Sequence, residues 1–273
     1  MQRRVLAILL LATLLLAGCA STGGDDSGSS GSSSSSTSTG GAASCTASPT
    51  LDLGPYYVDS QDRMDVTSDS GSALAGDADD ESEEDEADEP ADAEFLDGML
   101  ERSDILGAGS NEQPGTDLVL TVTVNELVDG HCTPMAGAKV DIWHANAQGH
   151  YSGFPAEGTA GHDWLRGWQS TDANGQVTFH TIWPGWYQGR AVHIHVRVRE
   201  AGTDFISQFF FDPTMSHDVF AGDAAYTANG KSATPDTSNA KDGIYGRGGS
   251  RMILTTAGAD GSYTGTKTIV VPA

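Results

Sequence analysis

What most constrains the fold of this chain is the recurrence of short strand-like runs and the lack of any long helical stripe. The runs are DLVLTVTVNEL (117–127), AKVDIWHA (138–145), GQVTFHTI (175–182), AVHIHVRV (191–198), DFISQFFF (204–211), SRMILTTA (250–257) and TKTIVVPA (266–273). They are rich in Val, Ile, Thr and aromatic residues, and turn signals such as Asp172-Ala173-Asn174-Gly175 separate them. The pattern predicts an all-β sandwich.

The run 191–198 has an unusual second face. Val192, Ile194, Val196 and Val198 recur with period two and point to one side, which places His193, His195 and Arg197 together on the other. A pair of histidines on a half-exposed sheet face is often ordinary packing. Imidazole is also the commonest protein metal ligand, and this spacing lets two rings reach one ion without bending the strand.

Two further stretches share that character. DIWHANAQGHYSGF (141–154) leaves a strand for a glycine-containing turn and carries Tyr151 just beyond it. TIWPGWYQGR (181–190) ends a strand in a Pro-Gly turn and brings Tyr187 and Arg190 to within a few residues of His193. Strand-end loops are where sandwiches usually carry function, so Tyr187, Arg190, His193 and His195 are expected to converge.

The chain begins MQRRVLAILLLATLLLAGCAS. The apolar run from Val5 to Leu16 is too short to cross a bilayer and reads as an export signal over 1–18. Its end, Leu16-Ala17-Gly18-Cys19, resembles the lipobox of bacterial-type lipoproteins, which implies a lipidated Cys19 and an extracytoplasmic, membrane-anchored protein. Residues 19–44 are a Ser/Gly-rich tether without the apolar surface to offset ordering, and the folded domain is expected over 45–273. With Cys19 assigned to lipid, Cys45 and Cys132 remain. An oxidising compartment favours a disulfide between them, with two free thiols as the alternative.

The formal net charge of −24 is concentrated in DADDESEEDEADEPADAE (77–94). Like charges at that density resist packing, so a disordered surface insertion is expected at about 68–94. The acid-rich, lysine-poor remainder argues against nucleic acid as a partner.

Taken together, VDIWHANAQGHYSGF, WLRGWQSTDANGQVTFHTIWPGWYQGRAVHIHVRV and SQFFFD closely resemble the intradiol ring-cleavage dioxygenases, the family of catechol and protocatechuate dioxygenases. GPYYVD (54–59) resembles the segment that precedes their core, and ERSDI (101–105) continues the pattern. The resemblance implies a β-sandwich with a non-haem Fe(III) cofactor held by Tyr151, Tyr187, His193 and His195. It further implies cleavage of a catechol-type ring by O₂, between the two hydroxylated carbons, to a cis,cis-muconate-type diacid. In that scheme Tyr187 is the phenolate the substrate displaces, and it takes up a substrate proton. Arg190 stabilises charge on the ring, Gln208 lies beside the oxygen pocket, and Pro55 and Tyr56 contact substrate. The Tyr187 to His193 interval is shorter than in the well-studied cytoplasmic enzymes, which predicts a trimmed loop and a more open pocket. Two other readings are a prealbumin-like binding module and an iron- or catecholate-binding protein without turnover. The sequence leaves the catechol derivative and the oligomeric state open.

Overall fold

The first strand shows how the alternation becomes a sheet. In β1 (Asp117–Val128), Leu118, Leu120, Val122 and Val124 are fully buried while the residues between them are half-buried, because successive side chains of a strand leave opposite faces. β1 pairs antiparallel with β2 (His131–Pro134) and β5 (Gln176–Ile182) and parallel with β9 (Ser262–Pro272), which carries β8 (Thr255–Ala259) beyond it. A second sheet runs in the order β4 (Arg166–Ser170), β3 (Lys139–Trp143), β6 (His193–Glu200), β7 (Thr203–Phe210), antiparallel throughout. The structure, a computed structural model, describes residues 45–58, 100–200 and 202–273. The signal segment 1–18, Cys19, the tether 19–44 and the acidic stretch at 68–94 lie outside the described residues.

The two sheets form the expected sandwich. Val140 and Ile142 of β3, Ile194, Val196 and Val198 of β6, and Phe205 and Phe209 of β7 meet the buried face of β1 and its neighbours in one apolar cluster. Each such side chain contributes about 1.5–3 kcal/mol by leaving water. The outer face of the second sheet is set by register. Trp143, His195 and Gln208 lie side by side across β3, β6 and β7, and His193 lies beside Phe210. The outer face therefore collects the residues that the sequence singles out.

The chain before β1 closes over that face. The Ser48 amide donates to Val270 O (2.8 Å) in β9, and the Leu51 amide donates to Ile206 O (2.9 Å) in β7, so residues 48–51 cross from one sheet to the other. A disulfide joins Cys45 to Cys132 in β2, with the Cα atoms 5.5 Å apart.

Three local expectations are corrected. Residues 250–257 do not form one strand: Gly249–Met252 is a 3₁₀ turn, Ile253 makes one isolated bridge to Phe210, and the β8 ladder begins at Thr255. The apolar character of that run serves burial of Met252 and Leu254 rather than a ladder. β6 starts at His193, with Ala191 and Val192 buried just before it. Helix is also present, in α1 (Pro213–Gly222) and α2 (Ala224–Thr227). Asp212 caps α1 by accepting from the Thr214 and Met215 amides, and Pro213 supplies the preset first turn.

Candidate metal centre

His193 opens β6 with its ring fixed from behind. Its Nδ1 donates to Ala191 O (2.7 Å), which leaves Nε2 as a bare lone pair. Burial, and then the nearby charge of Arg190, holds its pKa down to about 3, so the ring is neutral. His195 follows on the same face, with its Nε2 3.1 Å from His193 Nε2. Burial, His193 and Arg190 keep it neutral as well. Its ring stacks on Trp143 (centroids 4.8 Å apart, planes 9° apart), and its buried Nδ1 has no hydrogen-bond partner among the described residues. The other side of the ring is closed by backbone, since a Cβ at Gly54 would stand 2.9 Å from His195 Cε1.

Tyr151 and Tyr187 reach the same point from two loops. Tyr151 follows β3, is 1% exposed, and places its Oη 3.4 Å from His193 Nε2. Its loop is fastened by the buried Arg166, which donates to Ser152 O (2.8 Å), Ser152 Oγ (2.9 Å) and Tyr56 O (2.8 Å). Tyr187 follows β5, is half-buried, and places its Oη 3.2 Å from His193 Nε2. Burial pushes the Tyr151 phenol well up, and the Tyr187 phenol up against the opposing pull of Arg190. As phenolates at neutral pH, both therefore need a further cation close by.

Two phenol oxygens and the His195 imidazole nitrogen thus lie 3.1–3.4 Å from the fourth donor, His193 Nε2. Nitrogen and oxygen donors about 2 Å from a common ion stand roughly 3 Å apart, so the set fits a single metal ion. Two anionic oxygens with two neutral nitrogens suit a hard trivalent cation. No group of three or more His, Cys, Asp or Glu side chains placed to hold a metal occurs among the described residues. The donor set here differs in depending on tyrosine.

Arg190 sits beside this cluster, with Nη1 3.5 Å from Tyr187 Oη and 3.4 Å from His193 Nε2. Its Nη2 donates to Gln208 Oε1 (2.5 Å), and Gln208 Nε2 donates to Asp52 O (2.7 Å). The amide of Gln208 is thereby oriented. Tyr56 stacks on Tyr151 (4.1 Å, 4°) and meets Tyr187 edge-on (6.0 Å). Burial, and then Glu157, pushes the Tyr56 phenol up to about 12. Pro55 stands exposed in the turn before Tyr56.

Sequence reasoning missed Asp242. Its carboxylate is buried: Oδ2 accepts from Arg190 Nε (2.9 Å) and the Ala191 amide (2.8 Å), and Oδ1 accepts from the Ile244 and Tyr245 amides. Burial alone would raise its pKa, but the amides of Tyr245 and Ala191 and the Arg190 charge outweigh burial and hold it low. In the sequence, Asp242-Gly243 reads only as a turn. Nothing local marks its bond to Arg190, 52 positions away.

The family model described as "Dioxygenase" matches residues 94–226, which include Tyr151, Tyr187, Arg190, His193, His195 and Gln208. The solved intradiol ring-cleavage dioxygenase from Tetranychus urticae superposes with a TM-score of 0.60 at 27% identity, over 84% of this chain and 95% of that one. In the matched segment and in fold, the chain is similar to the intradiol ring-cleavage dioxygenases. Among curated members, catechol 1,2-dioxygenase 1 of Acinetobacter lwoffii is 44% identical over 54 residues, 20% of this chain and 17% of that one. Chlorocatechol 1,2-dioxygenase of Rhodococcus opacus is 29% identical over 129 residues, 39% of this chain and 49% of that one. The matches thus span half the length of those family members or less.

Proposed function

We propose that the protein is an intradiol ring-cleavage dioxygenase that opens a catechol-type ring with O₂ to a cis,cis-muconate-type diacid. The observation that carries this reading is the convergence of Tyr151 Oη, Tyr187 Oη and His195 Nε2 on His193 Nε2 within 3.4 Å. These four side chains would hold a non-haem Fe(III). Bound there, ferric iron would supply a Lewis acid that favours the doubly deprotonated, electron-rich catecholate, the form able to react with O₂.

The protein's own groups then have distinct tasks. Tyr151 is sealed beneath Tyr56 and stays in place. The less buried Tyr187 is the phenolate that yields its position and takes a proton from a substrate hydroxyl at its Oη. Arg190 Nη1, 3.5 Å from that oxygen, stabilises the negative charge that develops beside it. Gln208, pinned between Arg190 and Asp52, presents a fixed amide to the same space. Tyr56 and the backbone at Gly54 wall the site and exclude water from one side.

The reading includes export and lipid attachment through Cys19. Its support is the lipobox-like LAGC and the Cys45–Cys132 disulfide, which suits an oxidising compartment. Cys19→Ser is expected to move the protein from the membrane fraction to the soluble fraction. The test of the activity is incubation of the ferric-reconstituted protein with catechol, protocatechuate or hydroxyquinol while O₂ uptake and diacid formation are followed. Uptake matched mole for mole by ring-opened diacid is expected. A protein that stays iron-free after ferric reconstitution and consumes no O₂ with any of the three compounds would overturn the reading and favour a binding module.

A further inference from the structure

The two tyrosines of the site hang from different sheets. Tyr151 follows β3 of the four-stranded sheet, and Tyr187 follows β5, which is paired to β1 in the other. Neither ladder fixes one phenol relative to the other, so their spacing depends on how the two loops meet. They meet backbone to backbone. A Cβ at Gly149 would stand 2.4 Å from Trp186 O, and a Cβ at Gly185 would stand 2.3 Å from Asn146 O and 2.4 Å from Ala147 O. Only glycine permits that approach.

Close packing of this kind brings carbonyl dipoles together, and one ammonium answers two of them. Lys231 Nζ donates to Ala147 O (3.2 Å) on the Tyr151 loop and to Trp186 O (2.6 Å) on the Tyr187 loop. It also lies 4.9 Å from the centroid of the Trp186 ring, whose Nε1 donates to Ser232 O (2.8 Å). The lysine is delivered by a tight turn, with Asn229 and Gly230 at φ 58° and 78° and the Lys231 amide donating to Ala228 O (3.2 Å). Burial brings its pKa down to about 8, so the charge is kept here at a cost. Charge-assisted bonds to two carbonyls are the strong kind.

We propose that Lys231 is a positioning residue whose ammonium ties the Tyr151 loop to the Tyr187 loop and so sets the separation of the two phenols. The proposal rests on the reading of those phenols as the paired donors of the site. It assigns a role to a residue that touches neither substrate nor metal.

The test compares the full-length wild type with Lys231→Met, which keeps the apolar stem and removes the donors. In the iron-free proteins, amide hydrogen exchange is expected to rise about 10-fold or more in both 144–151 and 182–190, and to stay unchanged in β6. After ferric loading, the tyrosinate-to-iron charge-transfer band is expected to shift at unchanged iron content. Lys231→Gln, which retains one amide donor, should give an intermediate change and stands in if the methionine variant does not fold. Unchanged exchange, or a rise confined to one loop, overturns the proposal. Faster exchange in both loops with an unmoved band also overturns it, because the lysine then braces the loops without setting the phenols. If the wild type takes up no iron, the dioxygenase reading fails, and the exchange comparison alone still decides whether Lys231 joins the loops.

Discussion

The two faces of the four-stranded sheet are made of the same strands and held by different physics. On the inner face, Ile194, Val196 and Val198 pack against β1 and depend only on being apolar and well fitted. On the outer face, His193 and His195 are just as buried, yet their neighbours are Trp143, Arg190 and the two phenols. Burial on one side lowers the free energy of the fold. Burial on the other withholds protons from imidazoles and raises the cost of ionising phenols, which prepares the site for a cation. One strand, with period two, thus separates stability from chemistry residue by residue.

This contrast is open to direct attack. The largest effect is expected for Ile194→Ala on the inner face. Loss of a fully buried Ile should cost about 2–5 kcal/mol in denaturant unfolding while each folded molecule keeps its metal. An iron-deficient but fully stable Ile194→Ala would break the separation. Arg190→Ala, on the outer face, should leave the iron content and resting colour of the folded protein nearly unchanged and raise the reaction barrier by about 3–4 kcal/mol, read as a fall in kcat, with some loss of stability because the buried Asp242 carboxylate loses its partner. Asp242→Ala should lower kcat in the same direction. The double variant with Arg190→Ala should fall no further, since the two side chains act as one pair.

Tyr187→Phe sharpens the comparison between the two phenols. Iron should remain on Tyr151 and the histidines, whereas turnover drops about 100-fold because the group that accepts the substrate proton is gone. Equal loss of iron in Tyr187→Phe and Tyr151→Phe would remove the distinction drawn from their burial. The smallest effect concerns acid. His144 is buried, bonded to Ala145 O and Thr181 Oγ1, and burial holds its pKa at about 4 against 6.5 when unfolded. The unfolded chain therefore binds more protons between those values. The stabilising contribution is complete above pH 6.5 and is lost as pH falls, on the order of 2 kcal/mol by pH 5. Unfolding of the iron-free protein across that range should show a slope to which His193 and His195 also contribute, and His144→Gln should lessen it by His144's share.

Much of this was legible in the sequence because strands write their faces plainly. The alternation at 191–198 specified both the apolar side and the histidine side, and the Tyr151 and Tyr187 stretches announced strand-end loops. Register was not legible. That Trp143 and Gln208 flank His195 depends on how β3 and β7 align with β6, which no local pattern encodes. β4 escaped notice because its buried Arg166 looks like a solvated charge until its carbonyl partners on the Tyr151 loop are seen. Asp242 and Lys231 escaped for the same reason. Each bonds to groups far along the chain, and alone each reads as an ordinary turn or surface residue. The strand expected at 250–257 failed the other way, since buried Met252 and Leu254 mimic a strand where the backbone makes a 3₁₀ turn.

The central claim, that the outer face of β6 is a tyrosine-histidine metal centre built on an inert inner face, is tested most directly at two adjacent positions. The measurement is iron content with the visible spectrum after ferric reconstitution, taken on wild type, His195→Ala and Val196→Ala. Wild type and the folded fraction of Val196→Ala should each hold about one iron per chain and show the tyrosinate charge-transfer colour. His195→Ala should fold and hold neither. A His195→Ala variant that keeps iron and colour, or a wild type that acquires none, would contradict the account.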